Sequence, residues 1–395
     1  MESRTPRRVG VAVGAGLFLL TVSAFVRPPL LPAIGRDLTI TAVGLGLLGS
    51  IFAIGRLAAD FPAGLLSDRI RPGPMMSISG WIVAAGSVLL AIAPTALVAY
   101  GAMFLLGIGS TFVLTTAMAH FARAPRLRRG VAMSAFAAWL LAGQSFGPTA
   151  GGTIGSAFGW RWAVGVAAIL AVLVAVAFLF LRAPLPETER PKTIGGTQAG
   201  RLVPGHILAF IYLLPAVQFA LGGALLQTLI PIVADAELGI GPAVVGLALG
   251  LGGVSRFVAA MVAGQVTDRI SRKWALVPGQ VLQTLGVAAF LLWATPAAWF
   301  GSILLVTLGS VGVNVGATVL ADLSEGSALG RRLGAFRFTG DAAFVVAPIL
   351  SGWLYELAGR AVATLPLLIF SAVVTVGVWA FVPETGGTAS ADQVS

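Results

Sequence analysis

Two aspartates and four arginines lie inside long apolar stretches of this sequence, where an ionisable residue is costly and usually has a function. Arg56 and Asp60 stand four residues apart in one stretch, and Arg337 and Asp341 repeat that spacing in another. Residues four apart share one face of a helix, so each arginine can pair with its own aspartate. Three interpretations remain open: permanently ionised structural pairs, a carboxylate that changes partner and takes up a proton, or direct contacts to a substrate.

Arg27 and Arg256 are the other two arginines of this group. Arg256 has no acidic residue nearby in its own stretch, so it either satisfies backbone carbonyls or binds an anionic group. Arg27 precedes Pro28 and Pro29, and its side chain either extends to the outer surface or reaches the transport cavity. Because four arginines stand against two aspartates, the apolar stretches favour an anionic or neutral substrate over a cation.

Apolar helices must position these charges. Of the 395 residues, 57% are hydrophobic and 10% are charged, whereas a soluble domain is about 25% charged. Most of the surface must therefore face lipid, and apolar runs of the roughly 20 residues that a membrane helix needs recur along the chain. The sequence predicts an all-α integral membrane protein with twelve transmembrane helices, called spans 1 to 12, at 9–34, 43–66, 75–93, 97–119, 131–154, 163–182, 205–233, 242–266, 274–294, 297–320, 334–356 and 362–382.

The basic residues predict the orientation of the spans. Of the 25 lysines and arginines, 18 fall in alternate loops on one side, and only Arg36, Arg161 and Arg360 fall on the other. Basic residues remain on the cytoplasmic side, so both termini are predicted to be cytoplasmic in a multi-pass protein of the plasma membrane. This distribution accounts for the net charge of +10 without a nucleic-acid partner.

An internal repeat with an offset of 200 residues divides the chain. Residues 64–69 read GLLSDR and residues 264–269 read GQVTDR, and four further pairs are identical at this offset: Gly46 and Gly246, Arg56 and Arg256, Pro148 and Pro348, Gly152 and Gly352. We predict two pseudo-symmetric six-helix bundles, 1–182 and 205–395, joined by a cytoplasmic linker at 183–204. The second bundle ends in a short cytoplasmic tail. Parallel repeats with a site at their interface are a known transporter design.

The repeated loops resemble the cytoplasmic signature of the major facilitator superfamily, which lies between helices 2 and 3 and again between helices 8 and 9. The residues that carry the resemblance are Gly64, Asp68 and Arg69 in the first copy and Gly264, Asp268 and Arg269 in the second. The first copy lacks the basic end of the motif. The resemblance implies a latch that holds one half against helix 11 when the cytoplasmic gate is shut, with Arg337 as the expected partner of Asp68.

Span 5 resembles the helix 5 motif of proton-coupled drug exporters in the same superfamily, through Gly143, Gly147, Pro148, Gly151 and Gly152. The proline removes one backbone hydrogen bond and kinks the helix, and the glycines allow span 8 to pack closely. The motif implies either that the protein is an exporter, or only that these helices pack closely, which says nothing about the direction of transport. Span 4 departs from the exporter pattern, because Met103 stands where an arginine is expected, and this leaves the coupling ion open.

The resemblance implies that helices 1, 4, 7 and 10 line the substrate path. The polar residues that these spans offer, besides Arg27, are Thr115, Thr116, Gln227 and Asn314. Each is either a substrate contact or a hydrogen bond between helices.

We expect a secondary transporter and not an enzyme. The sequence contains no phosphate-binding glycine loop, no zinc-ligand motif and no catalytic cluster, so no cofactor or metal is expected. The expected activity is proton-coupled efflux of a small hydrophobic or amphipathic compound by a monomer in the lipid bilayer. Two alternatives remain: uptake or exchange of an organic anion, motivated by Arg27 and Arg256, and a non-transporting receptor or scaffold on the same fold.

Overall fold

The computed structural model describes residues 4–124, 129–181, 204–323 and 328–384, and these ranges are helical without a strand. The expected linker and C-terminal tail lie outside the described residues, apart from the ends of each. Span 1 is Arg4–Phe25 with Leu31–Asp37, and spans 2 to 6 are Ala42–Arg69, Pro72–Ala91, Ala96–Ala122, Arg129–Phe158 and Trp160–Leu179. Span 7 runs through Gly205–Ala220, Leu221–Leu229 and Ile230–Ala236, spans 8 and 9 are Pro242–Arg269 and Arg272–Leu292, span 10 is Pro296–Leu308 with Gly312–Asp322, and spans 11 and 12 form Ala328–Phe381.

Ten stretches of the described residues are long and apolar enough to cross a membrane. One of them, Arg331–Phe381, contains two helices that meet at a kink at Ala358 and Gly359. Span 5, with 30 residues, is long enough to cross but is not among the ten, since its glycines and polar residues dilute its apolar character. With these two additions the helices number twelve, which confirms the predicted fold class.

Three spans are irregular in ways that the apolar pattern did not predict. Span 1 ends its first segment at Phe25, because Pro28 and Pro29 have no N–H to continue the helical bonding. Span 7 is π-helical over Leu221–Leu229, a conformation that often marks a functional position. Span 10 is interrupted between Leu308 and Gly312.

The chain divides into two compact units. Unit 1 comprises Met1–Arg190 and Pro231–Gly253, and unit 2 comprises Pro191–Ile230 and Val254–Ser395. In unit 1, span 2 packs along span 4, span 3 packs along spans 4 and 6, and span 1 packs along span 5. In unit 2, span 9 packs along span 10, and the first segment of span 7 contacts spans 11 and 12.

The 200-residue repeat is visible in the backbone turns. Gly159 and Gly359, between spans 5 and 6 and between spans 11 and 12, have φ angles of 90° and 76°. Glycine adopts this left-handed region without steric cost. Thr39 and Gly239, in the loops after spans 1 and 7, have φ angles of 52° and 64°. The two halves of the sequence therefore build the same turns at equivalent positions.

The three basic residues at the predicted outer ends all have partners. Arg161 donates to the carbonyls of Ala91 and Ala93, at 2.9 and 3.0 Å, and so caps the C-terminal end of span 3. Arg360 caps the end of span 9 in the same way. Arg36 forms an ion pair with Asp235, at the ends of spans 1 and 7 that are predicted to face outwards. Each exception to the charge asymmetry thus has a structural reason.

Candidate functional site

Arg27 is the most unusual charge in unit 1. Its side chain lies inside the bundle, only 4% exposed, at the break of span 1. Nη1 lies 3.1 Å from the sulfur of Met103, and the guanidinium carbon lies 3.7 Å from the centroid of the Phe52 ring. Nε and Nη2 find no hydrogen-bond partner among the described residues. The guanidinium is therefore held by a sulfur and an aromatic face, with two nitrogens left to bind something else.

A close crossing of spans 2 and 4 places these neighbours. A Cβ on Gly55 would overlap the carbonyl of Phe104, and a Cβ on Gly107 would overlap the carbonyl of Phe52. Because both positions are glycine, the two backbones touch. Phe52 from span 2 and Met103 from span 4 consequently reach the same guanidinium. Sequence reasoning did not identify Phe52, because an aromatic residue in an apolar span carries no signal.

The pair Arg56 and Asp60 lies near this crossing on span 2. Both side chains are half-buried. The hydroxyl of Thr111 on span 4 donates to the carbonyl of Arg56 at 3.3 Å, so this part of span 2 is also tied to span 4.

In unit 2, the second pair is formed within span 11. Nε of Arg337 lies 3.7 Å from Oδ2 of Asp341, with the i,i+4 spacing. The two side chains differ in exposure, at 47% for Arg337 and 7% for Asp341. The carboxylate of this pair therefore lies in the interior, and its guanidinium partner lies nearer the surface.

Arg256 occupies a different environment from Arg27. Its Nε donates to the hydroxyl of Ser310 at 3.0 Å, at the break of span 10. The neighbouring Ser255 and Thr307 hydroxyls are 2.7 Å apart, and they hold spans 8 and 10 together. The partner of Arg256 is thus a span 10 hydroxyl, which the sequence did not reveal.

The other polar residues expected on the path are distributed along three spans. Thr116 is buried and donates to the carbonyl of Phe112, whereas Thr115 is half-buried. Gln227 is half-buried on the π-helical part of span 7. Asn314 is exposed on the second segment of span 10. Thr115 and Thr116 belong to unit 1, and Gln227 and Asn314 belong to unit 2.

Three glycines of the span 5 motif face span 1. A Cβ on Gly143 would lie 2.7 Å from Cβ of Thr21, and a Cβ on Gly147 would lie 2.8 Å from Cβ of Phe25. A Cβ on Gly151 would overlap the carbonyl of Val26, next to Arg27. This face fixes the part of span 1 that carries Arg27.

The fourth motif glycine, Gly152, faces the first part of span 8. A Cβ on it would overlap the carbonyl of Pro242, and a Cβ on Gly246 would overlap the carbonyl of Pro148. The hydroxyl of Thr149 also donates to the carbonyl of Gly246 at 3.3 Å. Spans 5 and 8 therefore meet backbone to backbone, as the motif led us to expect.

The expected cytoplasmic gate is described in part. The side chains of Asp68, Asp268 and Arg269 lie outside the described residues, and Arg69 is exposed. A side chain on Gly64 or Gly264 would meet no described atom within 4 Å. Arg123, the residue directly after span 4, was not identified from the sequence, and it donates to the carbonyl of Ser67 at 3.2 Å.

Comparison with known proteins agrees with this architecture. A family model described as Major Facilitator Superfamily matches residues 13–233 and again residues 212–393. A bacterial homolog of the human lysosomal transporter Spinster, in an inward-facing and occupied conformation, superposes with a TM-score of 0.76 at 14% identity, covering 94% of this chain and 96% of that one. Its inward-facing, unoccupied form gives 0.74 at 13%, covering 95% and 96%. No curated protein matches the chain.

Proposed function

Because this chain belongs to the Major Facilitator Superfamily, a family of secondary transporters that work by alternating access, we propose that it exports a small amphipathic compound in exchange for protons. We further propose that this compound carries an acidic group. The buried Arg27, with two unpartnered nitrogens, is the observation that carries the proposal.

The physical argument starts from the cost of a buried charge. An isolated cation in an apolar interior is strongly unfavourable unless it is paired. Arg27 has Met103 and Phe52 as neighbours, and neither supplies a negative charge. A carboxylate or similar anion can accept two parallel hydrogen bonds from a guanidinium, and Nε and Nη2 are the two donors that remain. The Phe52 ring offers an apolar surface to the rest of an amphipathic molecule.

Arg27 also bears on the departure of span 4 from the exporter pattern. The arginine expected on that span is replaced by Met103, and Nη1 of Arg27 lies 3.1 Å from the sulfur of this methionine. A guanidinium from span 1 therefore stands beside the position that the family pattern gives to span 4. This proximity, together with the backbone contacts of the span 5 motif, supports the exporter interpretation.

Asp341 is the carboxylate that we propose to carry the proton. It is buried, and its ion pair with Arg337 spans 3.7 Å, longer than a direct hydrogen bond. A carboxylate in this position can change partner during transport and take up a proton, because burial favours the neutral form of the acid. Arg56 and Asp60 are retained as structural charges in this scheme.

The remaining expectations form part of the same proposal. We propose a monomer in the plasma membrane with both termini in the cytoplasm, and a cytoplasmic gate formed by the loop motifs. Asp68→Asn should lower the transport rate while the protein still inserts normally. An unchanged rate would remove the gate from the proposal.

Matched pairs of ligands test the acidic group. We would measure binding of carboxylic acids and of their neutral amides to the purified protein, for the wild type, Arg27→Gln and the control Arg331→Gln, which alters an exposed arginine. The acids should stabilise the wild type and Arg331→Gln but not Arg27→Gln, and the amides should bind none of the three strongly. Equal binding of acid and amide, or acid binding that survives in Arg27→Gln, would contradict the proposed substrate class.

A second function, uptake or exchange of an organic anion, uses the same arginine. It is favoured by the lack of an arginine on span 4, since that residue is linked to proton coupling in the exporters that the chain resembles. The two functions differ in their response to a pH gradient. A receptor or scaffold would bind an acid without any flux, and flux measurements therefore separate all three.

A further inference from the structure

Buried amide side chains that the proposed function does not use lie beside the break in span 10. Gln280 and Gln283, both on span 9, are completely buried. Neither Nε2 nor Oε1 of either residue has a hydrogen-bond partner within the described part of the chain. Buried polar groups in folded proteins are almost always paired, with protein or with ordered water. Four unpaired polar atoms on neighbouring helical turns therefore point to an occupant.

The amides converge on the break itself. A Cβ on Gly312 would lie 2.9 Å from Nε2 of Gln280 and 3.5 Å from Oε1 of Gln218, so amides from spans 9 and 7 reach the same point. On the other side of the break, a Cβ on Gly309 would lie 2.6 Å from Cγ of Gln283. Gly312 leaves the space for the amides of Gln280 and Gln218, and Gly309 leaves the space for the side-chain stem of Gln283.

The amide of Gln218 forms hydrogen bonds with the backbone at this break. Its Oε1 accepts from the backbone N–H of Val313 at 3.0 Å, and its Nε2 donates to the carbonyl of Ser310 at 3.2 Å. One side chain thus replaces helical hydrogen bonds that the interrupted span cannot make. Gln280 and Gln283 lie beside the same break with their own donors and acceptors unused.

The equivalent crossing in the first half of the chain has no amides. At the 200-residue offset, Gly80 and Val83 of span 3 take the places of Gln280 and Gln283. Span 4 packs there with Gly109 against Val83, and it is continuous over Ala96–Ala122. The crossing can therefore be built from apolar residues alone, and the amides occur only where the span is broken.

We propose that the break in span 10 encloses a buried hydration site, in which the amides of Gln280 and Gln283 bind water. Water donates and accepts, and it matches the balanced donors and acceptors of two neutral amides. A cation is disfavoured because Arg256 donates to Ser310 at the same break. Water at this place pairs the buried amide donors and acceptors that would otherwise be unsatisfied in an apolar interior.

Amide hydrogen exchange of the full-length protein in lipid nanodiscs tests the proposal. A buried amide exchanges only where water reaches it. In the wild type, peptides that cover residues 305–315 should exchange faster than peptides that cover residues 105–115, by about tenfold or more, the effect of one lost hydrogen bond. In Gln280→Met/Gln283→Met, exchange of 305–315 should slow by about the same factor, because methionine fills a similar volume without polar atoms.

The matched control is Gln265→Met, which makes the same chemical change at an exposed position of span 8. It should leave both peptides as they are in the wild type. Equally slow exchange of the two peptides in the wild type would overturn the hydration site, and this comparison does not depend on any variant folding. Undiminished exchange of 305–315 in the double variant, or in Gln283→Met if the double variant does not fold, would overturn the role of the amides.

Discussion

Replacing Arg27 by methionine should make the protein more stable and less able to bind its substrate. The two unpartnered nitrogens of Arg27 are buried donors, and each unsatisfied buried group costs about 1–3 kcal/mol. Removing both donors should raise the free energy of unfolding by about 2–6 kcal/mol. Loss of the cation–π contact with Phe52 should lower it by about 2 kcal/mol. The expected gain in the free energy of unfolding is up to about 4 kcal/mol.

The assay is the apparent Tm of the purified, ligand-free protein in detergent. Arg27→Met should melt above the wild type, and an acidic ligand should raise the Tm of the wild type but not of the variant. The matched control is Arg256→Met, which loses the hydrogen bond to Ser310 and should melt below the wild type. If Arg27→Met melts well below the wild type, Arg27 has a structural partner and the argument for an anion site is refuted.

Three further changes follow from the contacts described above. Asp341→Asn removes a buried carboxylate, so a pH gradient should no longer drive flux in proteoliposomes although substrate still moves down its own gradient; gradient-driven flux in this variant would exclude Asp341 as the proton carrier. Gly152→Leu should lower the yield of monodisperse protein in size-exclusion chromatography, because a side chain there overlaps the Pro242 carbonyl, whereas Gly165→Leu, with no described atom within 4 Å, should not; equal yields would contradict the close contact of spans 5 and 8. Arg36→Asp should change the transport rate, and Asp235→Arg should restore it in the double variant; a double variant no better than the single one would show that the ion pair does not matter to transport.

The architecture could be predicted because its causes are local in the sequence. Apolar runs of the length that a bilayer requires appear in any window of about 20 residues. The repeat is likewise recognised from identical residues at one offset. Gly159 and Gly359 show that it extends to the backbone turns, which the identities alone did not predict. The close packing of span 5 followed from glycines, because only glycine leaves room for a second backbone.

The environments of Arg27 and Arg256 could not be predicted, because they depend on which spans meet, whereas the pair of Arg337 and Asp341 lies within one span and follows from its spacing. The sequence did not decide between two positions for the side chain of Arg27, at the outer surface or in the transport cavity. Spans 2 and 4 cross closely at Gly55 and Gly107, and this crossing brings Phe52 and Met103 to the guanidinium. The break of span 10 was also missed. Gly309 and Gly312 at this break are two of 51 glycines in the chain, so nothing local distinguishes them. The amides beside the break come from two other spans.

The central claim, proton-driven export, is tested most directly by flux in proteoliposomes with an imposed pH gradient. With an acidic lumen, protons leave the vesicle and the acidic substrate should accumulate inside against its own gradient. Passive movement of a weak acid runs the other way, towards an alkaline lumen, and protein-free vesicles measure it. Proton-driven export requires accumulation in the acidic lumen, and a protonophore should abolish it. Flux that is the same with and without the gradient, or accumulation only in an alkaline lumen, would contradict it.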